Sequence, residues 1–149
     1  MSNDSIGTIV NKLSDCLAST YVLYLKTQGY HWNVVGPQFA ALHPFLEGMY
    51  EDLADAADLL AERIRALGHP APASLEQYLK LSHIKETTTA LATDEMIQNL
   101  ITDNESMARL LHDGIKVAQK GQDEGTADML IQRIKQHEKN AWMLRSLLA

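Results

Sequence analysis

Residues 31–47 read His31-Trp-Asn-Val-Val-Gly36-Pro37-Gln-Phe39-Ala-Ala-Leu42-His43-Pro44-Phe-Leu46-Glu47. Gly36-Pro37 breaks the segment, because Pro cannot continue an interior helix and Gly is a common helix stop. Before the break, Ile6, Ile9, Val10, Leu13, Leu17, Tyr21 and Tyr24 recur at helical spacing. They form one face of a long amphipathic helix that runs to about Trp32. After it, Phe39, Leu42, Leu46, Met49, Leu53, Ala57, Leu60, Ile64 and Leu67 repeat the pattern. Pro44 falls early in this second helix, where a missing backbone N–H costs least.

Working outward, Leu67-Gly-His-Pro-Ala-Pro72 is a clear stop. Ser74, with Gln77 three residues on, predicts a short capped helix, and Thr87-Thr-Thr89 reads as connection. A third long helix starts near Thr93 and turns Ile97, Leu100, Ile101, Met107, Leu111, Ile115 and Ala118 inward. Gly121 and Gly125 bracket a turn, and Thr126 is positioned to cap a fourth helix through Leu130, Ile134, Ala141, Leu144 and Leu148. No segment alternates with the period of a strand. The expectation is an all-α, ferritin-like four-helix bundle, residues 1–149 as one domain, with a long crossover carrying a short extra helix.

Composition narrows the class. With 149 residues, 46% of them apolar, the chain can bury a core without disulfide staples, and its single Cys permits no internal disulfide. No apolar run approaches the roughly 20 residues needed to span a bilayer. Met1–Val10 shows neither a basic segment nor a cleavage site, so a cytoplasmic protein with no membrane partner is expected. The net charge of −6 disfavours general nucleic-acid binding and favours cationic partners.

Five side chains are candidate metal ligands: His31, His43 and Glu47 in one group, Asp58 and Glu62 in the other. His43 and Glu47 are four apart on the second helix, as are Asp58 and Glu62, so each pair shares a face. Fifteen positions separate His43 from Asp58, which leaves the pairs about 60° apart around the axis but roughly 22 Å apart along it. Ligands lie about 2.0–2.2 Å from a metal, so the pairs cannot share one ion within one chain. An antiparallel second copy related by a two-fold axis would set its Asp58 and Glu62 opposite His43 of the first, with His31 reaching in beside them. Imidazole and carboxylate together suit iron, with zinc as the competitor. On spacing alone the same side chains also read as interfacial groups with no ion between them. His69, His83, His112 and His137 have no comparable partners and read as structural or exposed. No Glu is followed three positions later by His, so the usual di-iron pattern inside a bundle is missing. Cys16 sits on the apolar face of the first helix and reads as core.

The segment His31–His43 quoted above, continued by Asp58-Leu-Leu-Ala-Glu62-Arg63-Ile-Arg-Ala-Leu-Gly68, resembles the Dps family of mini-ferritins. The run His137-Glu-Lys-Asn-Ala-Trp142-Met-Leu-Arg145-Ser is similar to theirs as well, and helix order and length agree over nearly the whole chain. The resemblance implies a ferroxidase, storing iron in a hollow homo-dodecamer. Such a protein oxidises Fe(II), preferably with hydrogen peroxide, keeps the ferric mineral inside and so limits oxidative damage. It carries iron ligands over to His31 and His43 of one subunit and to Asp58 and Glu62 of its two-fold mate. The fifth position, commonly Asp in the family, is Glu47 here. The resemblance also implies acid-lined pores that admit iron, with Asp123 and Asp128 in the matching place; charge complementing a helix N-terminus is the other reading. Trp32, beside His31, reads as interface packing or as a trap for stray oxidising equivalents. Residues 1–12 hold a single basic side chain, Lys12, and the chain ends Arg145-Ser-Leu-Leu-Ala149, so DNA binding is expected to be weak.

Overall fold

The computed structural model describes all 149 residues as five helices. They are α1 (Asn3–Asn33), α2 (Phe39–Ala66), α3 (Leu75–Leu81), α4 (Thr93–Lys120) and α5 (Glu124–Leu148). α1 packs along α2 and α4 along α5, α1 also meets α4, and α2 touches α5 only sparsely. The long α2–α4 crossover lays α3 against α1. The expected all-α, ferritin-like bundle is therefore present, and no helix is long and apolar enough to cross a membrane.

Helix ends follow local chemistry. Ser2 caps α1 by accepting the Ser5 N–H, and Ser74 caps α3 by accepting the Gln77 N–H. α2 ends in a Schellman motif: Gly68 takes a φ of 92°, its N–H reaches Arg65 O, and the His69 N–H reaches Ile64 O. Pro44 differs from expectation. It stands inside α2, beyond the first turn, so the carbonyl of Ala40 has no N–H to accept from that position. The cap of α5 differs too. Asp123, not Thr126, accepts the Thr126 N–H, and Thr126 lies fully buried in the first turn.

The interior has two apolar clusters. One gathers Leu23, Leu42, Leu53, Ile97, Leu100, Met107 and Leu144; the other gathers Ile9, Leu13, Leu17, Leu60, Ile64, Leu111 and Leu130. Cys16 lies in the second with no exposed surface, as expected. On α5, His137 and Asn140 fall between Ile134 of one cluster and Leu144 of the other. Their side chains meet Asn104 of α4: His137 Nδ1 is 2.8 Å from Asn104 Oδ1, and Asn140 Nδ2 donates to the same oxygen. Buried polar groups are tolerable when paired in this way.

Two ion-paired clamps fix α2 against α5. Arg133 grips the Asp52 carboxylate through both terminal nitrogens at 3.0 and 2.9 Å. Arg63 donates to Asp123 at 2.7 Å and to the Thr126 hydroxyl at 2.9 Å. The Arg63 guanidinium also lies 3.1 Å from where a side chain on Gly125 would begin, so a larger residue there would push the guanidinium back by a few tenths of an ångström.

Candidate metal centre

The end of α1 and the first turns of α2 bring His31 and His43 face to face. Their rings stack with centroids 3.8 Å apart and 12° between planes. Each imidazole reaches the other's backbone: His31 Nδ1 is 2.6 Å from His43 O, and His43 Nδ1 is 2.8 Å from His31 O. A carbonyl only accepts, so each Nδ1 carries a proton, and in the neutral ring the lone pair is on Nε2. That is the tautomer a metal needs, with the ring orientation fixed by the bond on the opposite nitrogen.

Neighbouring rings complete the setting. Phe39 stacks on His43 at 4.9 Å, and Tyr50 meets His31 edge-on at 5.1 Å. His31 is buried, His43 half-buried, and Glu47 exposed one turn further along α2. Trp32 is 60% exposed and enters no aromatic pair, so within one chain its ring does not lean on His31.

Asp58 and Glu62 project from the later half of α2 into solvent. The hydrogen bond and negative charge of Asp58 raise the Glu62 pKa. Neither carboxylate enters an ion pair within the chain. Two adjoining carboxylates with no cation between them repel each other, and a metal ion would relieve that repulsion.

The structure thus joins His31 to His43, and Asp58 to Glu62, and leaves the two halves apart. Nowhere does one chain gather three His, Cys, Asp or Glu side chains able to hold an ion. The middle of the bundle is taken by the His137 network. Arg133 Nη2 lies 3.4 Å from His137 Nε2, and since Arg only donates, that nitrogen accepts. Burial and then the Arg133 charge push the His137 pKa down to about 3. The remaining His side chains sit apart: His112 and His83 are exposed, His83 being 3.7 Å from Asp15, and His69 is half-buried.

The two acids assigned to a pore separate. Asp128 is exposed, whereas Asp123 is buried and committed to Arg63 and Thr126. Burial works against its carboxylate, but the Thr126 hydroxyl and N–H and the Arg63 charge outweigh it and hold the pKa below the usual range. Asp123 acts as a cap and a clamp, as the helix N-terminus reading expects. Spacing also left Tyr50, the backbone carbonyls of 31 and 43, and both α2–α5 clamps unassigned. Tyr50 had a weak signal, one turn beyond Glu47 on the same face.

A family model described as a ferritin-like domain matches residues 10–149. An uncharacterised low-temperature-induced protein of Nostoc sp. (strain PCC 7120) is 42% identical over 94% of this chain and 79% of its own length. DNA protection during starvation protein 2 of Bacillus anthracis is 36% identical over 94% of this chain and 96% of its own. The crystal structure of a Dps protein from Vibrio cholerae O1, described as a member of a broad superfamily of ferritin-like diiron-carboxylate proteins, superposes with a TM-score of 0.95. It is 34% identical and covers 100% of this chain and 94% of its own.

Proposed function

The chain belongs to the Dps family of ferritin-like proteins, and from that premise we propose that it is a peroxide-using ferroxidase that stores iron. Fe(II) is the substrate and ferric mineral the cargo, held within a hollow homo-dodecamer in the cytoplasm. Oxidation takes place between two copies, at His31 and His43 of one and Asp58 and Glu62 of the other, with Glu47 as a further ligand.

The observation that carries this reading is the exchange of Nδ1–H bonds between His31 and His43. It leaves the Nε2 of each of two stacked rings without a hydrogen-bond partner, and no third ligand joins them in the same chain. The missing ligands are supplied by another copy, because the unpaired carboxylates stand on the same broad side of α2. Exposed apolar side chains flank both halves: Trp32 and Phe39 beside the imidazoles, Leu59 beside the carboxylates. Large exposed apolar groups in one region mark a surface that is covered in the working assembly.

Chemically, imidazole and carboxylate hold Fe(II) while leaving coordination positions for the oxidant. Two ferrous ions supply both electrons that peroxide needs: two Fe(II), one hydrogen peroxide and two protons give two Fe(III) and two waters. No hydroxyl radical is released on that route. Zinc competes for the same ligands. The net charge of −6 makes duplex DNA a weak partner at physiological salt.

The test is an anaerobic Fe(II) titration of the assembled protein followed by peroxide, beside a His31→Ala, Asp58→Ala double variant. Saturable binding with rapid ferric formation that the variant loses is the expected result. Equal, slow, non-saturable oxidation in both proteins would leave a ferritin-like shell without this centre.

A further inference from the structure

The rings beside His31 do not stop at Tyr50. Tyr24 meets Tyr50 edge-on with centroids 5.9 Å apart, Tyr21 follows Tyr24 at 5.7 Å, and Tyr78 of α3 follows Tyr21 at 4.9 Å. With the 5.1 Å step from His31 to Tyr50, an unbroken file of rings leads from the imidazole pair to the crossover helix. Four of the chain's five tyrosines stand in it. Tilted and edge-on packing stabilises such contacts by about 0.5–1.5 kcal/mol each, but Phe would pack as well. What the phenols add is the ability to lose an electron and a proton together.

We propose that Tyr50, Tyr24 and Tyr21 form a relay that draws a one-electron oxidising equivalent away from the iron site. The proposal rests on the ferroxidase reading above. Peroxide needs two electrons, and a site holding a single Fe(II) supplies one. In that case one Fe(II) and one peroxide give Fe(III), hydroxide and a hydroxyl radical. Hydrogen-atom loss from the Tyr50 phenol turns that radical into water and leaves a tyrosyl radical. An electron and a proton then pass from Tyr24 to Tyr50, and next from Tyr21 to Tyr24, so the radical moves outward while each phenol behind it is restored. A second Fe(II) delivers one electron, with one proton from water, and returns Tyr21 to the phenol. The sum matches the two-iron reaction, two Fe(II) oxidised for each peroxide, with the ions oxidised one at a time.

The surroundings set where the radical rests. Tyr21 is 37% exposed and borders a cavity of about 660 Å³ between α1, α3 and the crossover, so its proton exchanges with water. Tyr78 beyond it is buried, and its hydroxyl donates to Pro72 O at 2.7 Å, a carbonyl too weakly basic to take the proton. Tyr24 is half-buried, and its hydroxyl accepts from Gln28 Nε2 at 3.4 Å. Trp32 is outside the file of rings.

The experiment loads the assembled protein anaerobically with one Fe(II) per two sites, adds one hydrogen peroxide per Fe(II), freezes samples over milliseconds to seconds and records electron paramagnetic resonance. Ferric absorbance and spin-trapped hydroxyl radical are followed in parallel. Native protein is expected to show a tyrosyl signal that a second addition of Fe(II) removes, one ferric ion appearing per radical lost. Tyr50→Phe lowers that signal at least five-fold and raises the spin-trap yield. Tyr21→Phe leaves the radical on Tyr24 with an altered hyperfine pattern. Tyr24→Phe keeps the native rate of ferric formation at two Fe(II) per site, which separates the relay from the site itself. Rapid ferric formation without a tyrosyl signal, or a signal indifferent to Tyr50→Phe and Tyr24→Phe, overturns the relay while sparing the ferroxidase. Absence of saturable ferric formation in the native protein overturns both.

Discussion

His31 and His137 are both buried, and both hold their proton on Nδ1, yet they end in opposite conditions. His137 Nδ1 is satisfied by Asn104 and its Nε2 by Arg133, so both nitrogens are committed within one chain. His31 Nδ1 is satisfied by a backbone carbonyl, and its Nε2 has no hydrogen-bond partner. Burial therefore does not separate His31, the proposed ligand, from His137, a structural imidazole. The second nitrogen does, because a free lone pair out of bulk water is the more valuable to a cation the fewer protein donors compete for it.

The largest effect that tests this contrast is on iron chemistry. His31→Ala is expected to slow ferric formation at low iron about 100-fold or more, since even groups that only support a ligand are worth 10–100-fold. His137→Ala should leave the rate per assembled site unchanged. A stopped-flow comparison in which both variants lose activity together would break the contrast.

Stability should invert the order. His137→Ala empties a buried, hydrogen-bonded position and is expected to cost about 2–4 kcal/mol. That is a fall in Tm of roughly 4–16 °C for a domain of this size. His31→Ala, on the rim of the bundle, should cost less, and equal melting of the two variants would count against the assignment.

A third effect is graded by acid. His137 titrates at about 3 in the folded chain, against the ordinary 6.5 once unfolded. Between those values the unfolded chain binds a proton that the folded chain refuses, so stability falls as pH drops through that window. The slope approaches about 1.4 kcal/mol per pH unit and flattens below pH 3. Melting curves of His137→Gln should lack this slope; if they keep it, another group is responsible.

The smallest effect concerns Asp123 and Asp128, which repeat the contrast among carboxylates. Asp128→Asn removes an exposed charge and is expected to slow iron uptake about two-fold with assembly intact. Asp123→Asn breaks a buried clamp and is expected to lower stability by about 1–3 kcal/mol. Uptake kinetics and melting, measured on both variants, would show whether the two acids divide in this way.

Much of this was legible before any coordinates. Helical periodicity located all four long helices, and residue types pointed to His31, His43, Asp58 and Glu62, which the structure brings together as two separate pairs. The inward spacing of Leu130, Ile134, Ala141 and Leu144 also runs through 137, so the burial of His137 had a signal that its polarity masked. The cap of α5 was harder. Asp123 and Thr126 both suit an N-cap, and the choice was made by Arg63, sixty residues earlier in the chain. The bonds between His31 and His43 leave no trace in residue types at all, since their acceptors are main-chain oxygens placed by the packing of α1 on α2.

Cys16 gains a different meaning beside the peroxide-using centre proposed above. Burial, and then the charge of Asp15, push its thiol pKa up to about 12, leaving about one molecule in 100,000 as thiolate at neutral pH. Peroxide attacks the thiolate and not the thiol, and the sulfur here has no surface to be reached from. The one thiol in the protein is thereby hidden from peroxide, so under the proposed ferroxidase cycle it should accumulate no sulfenic acid and form no disulfide between copies.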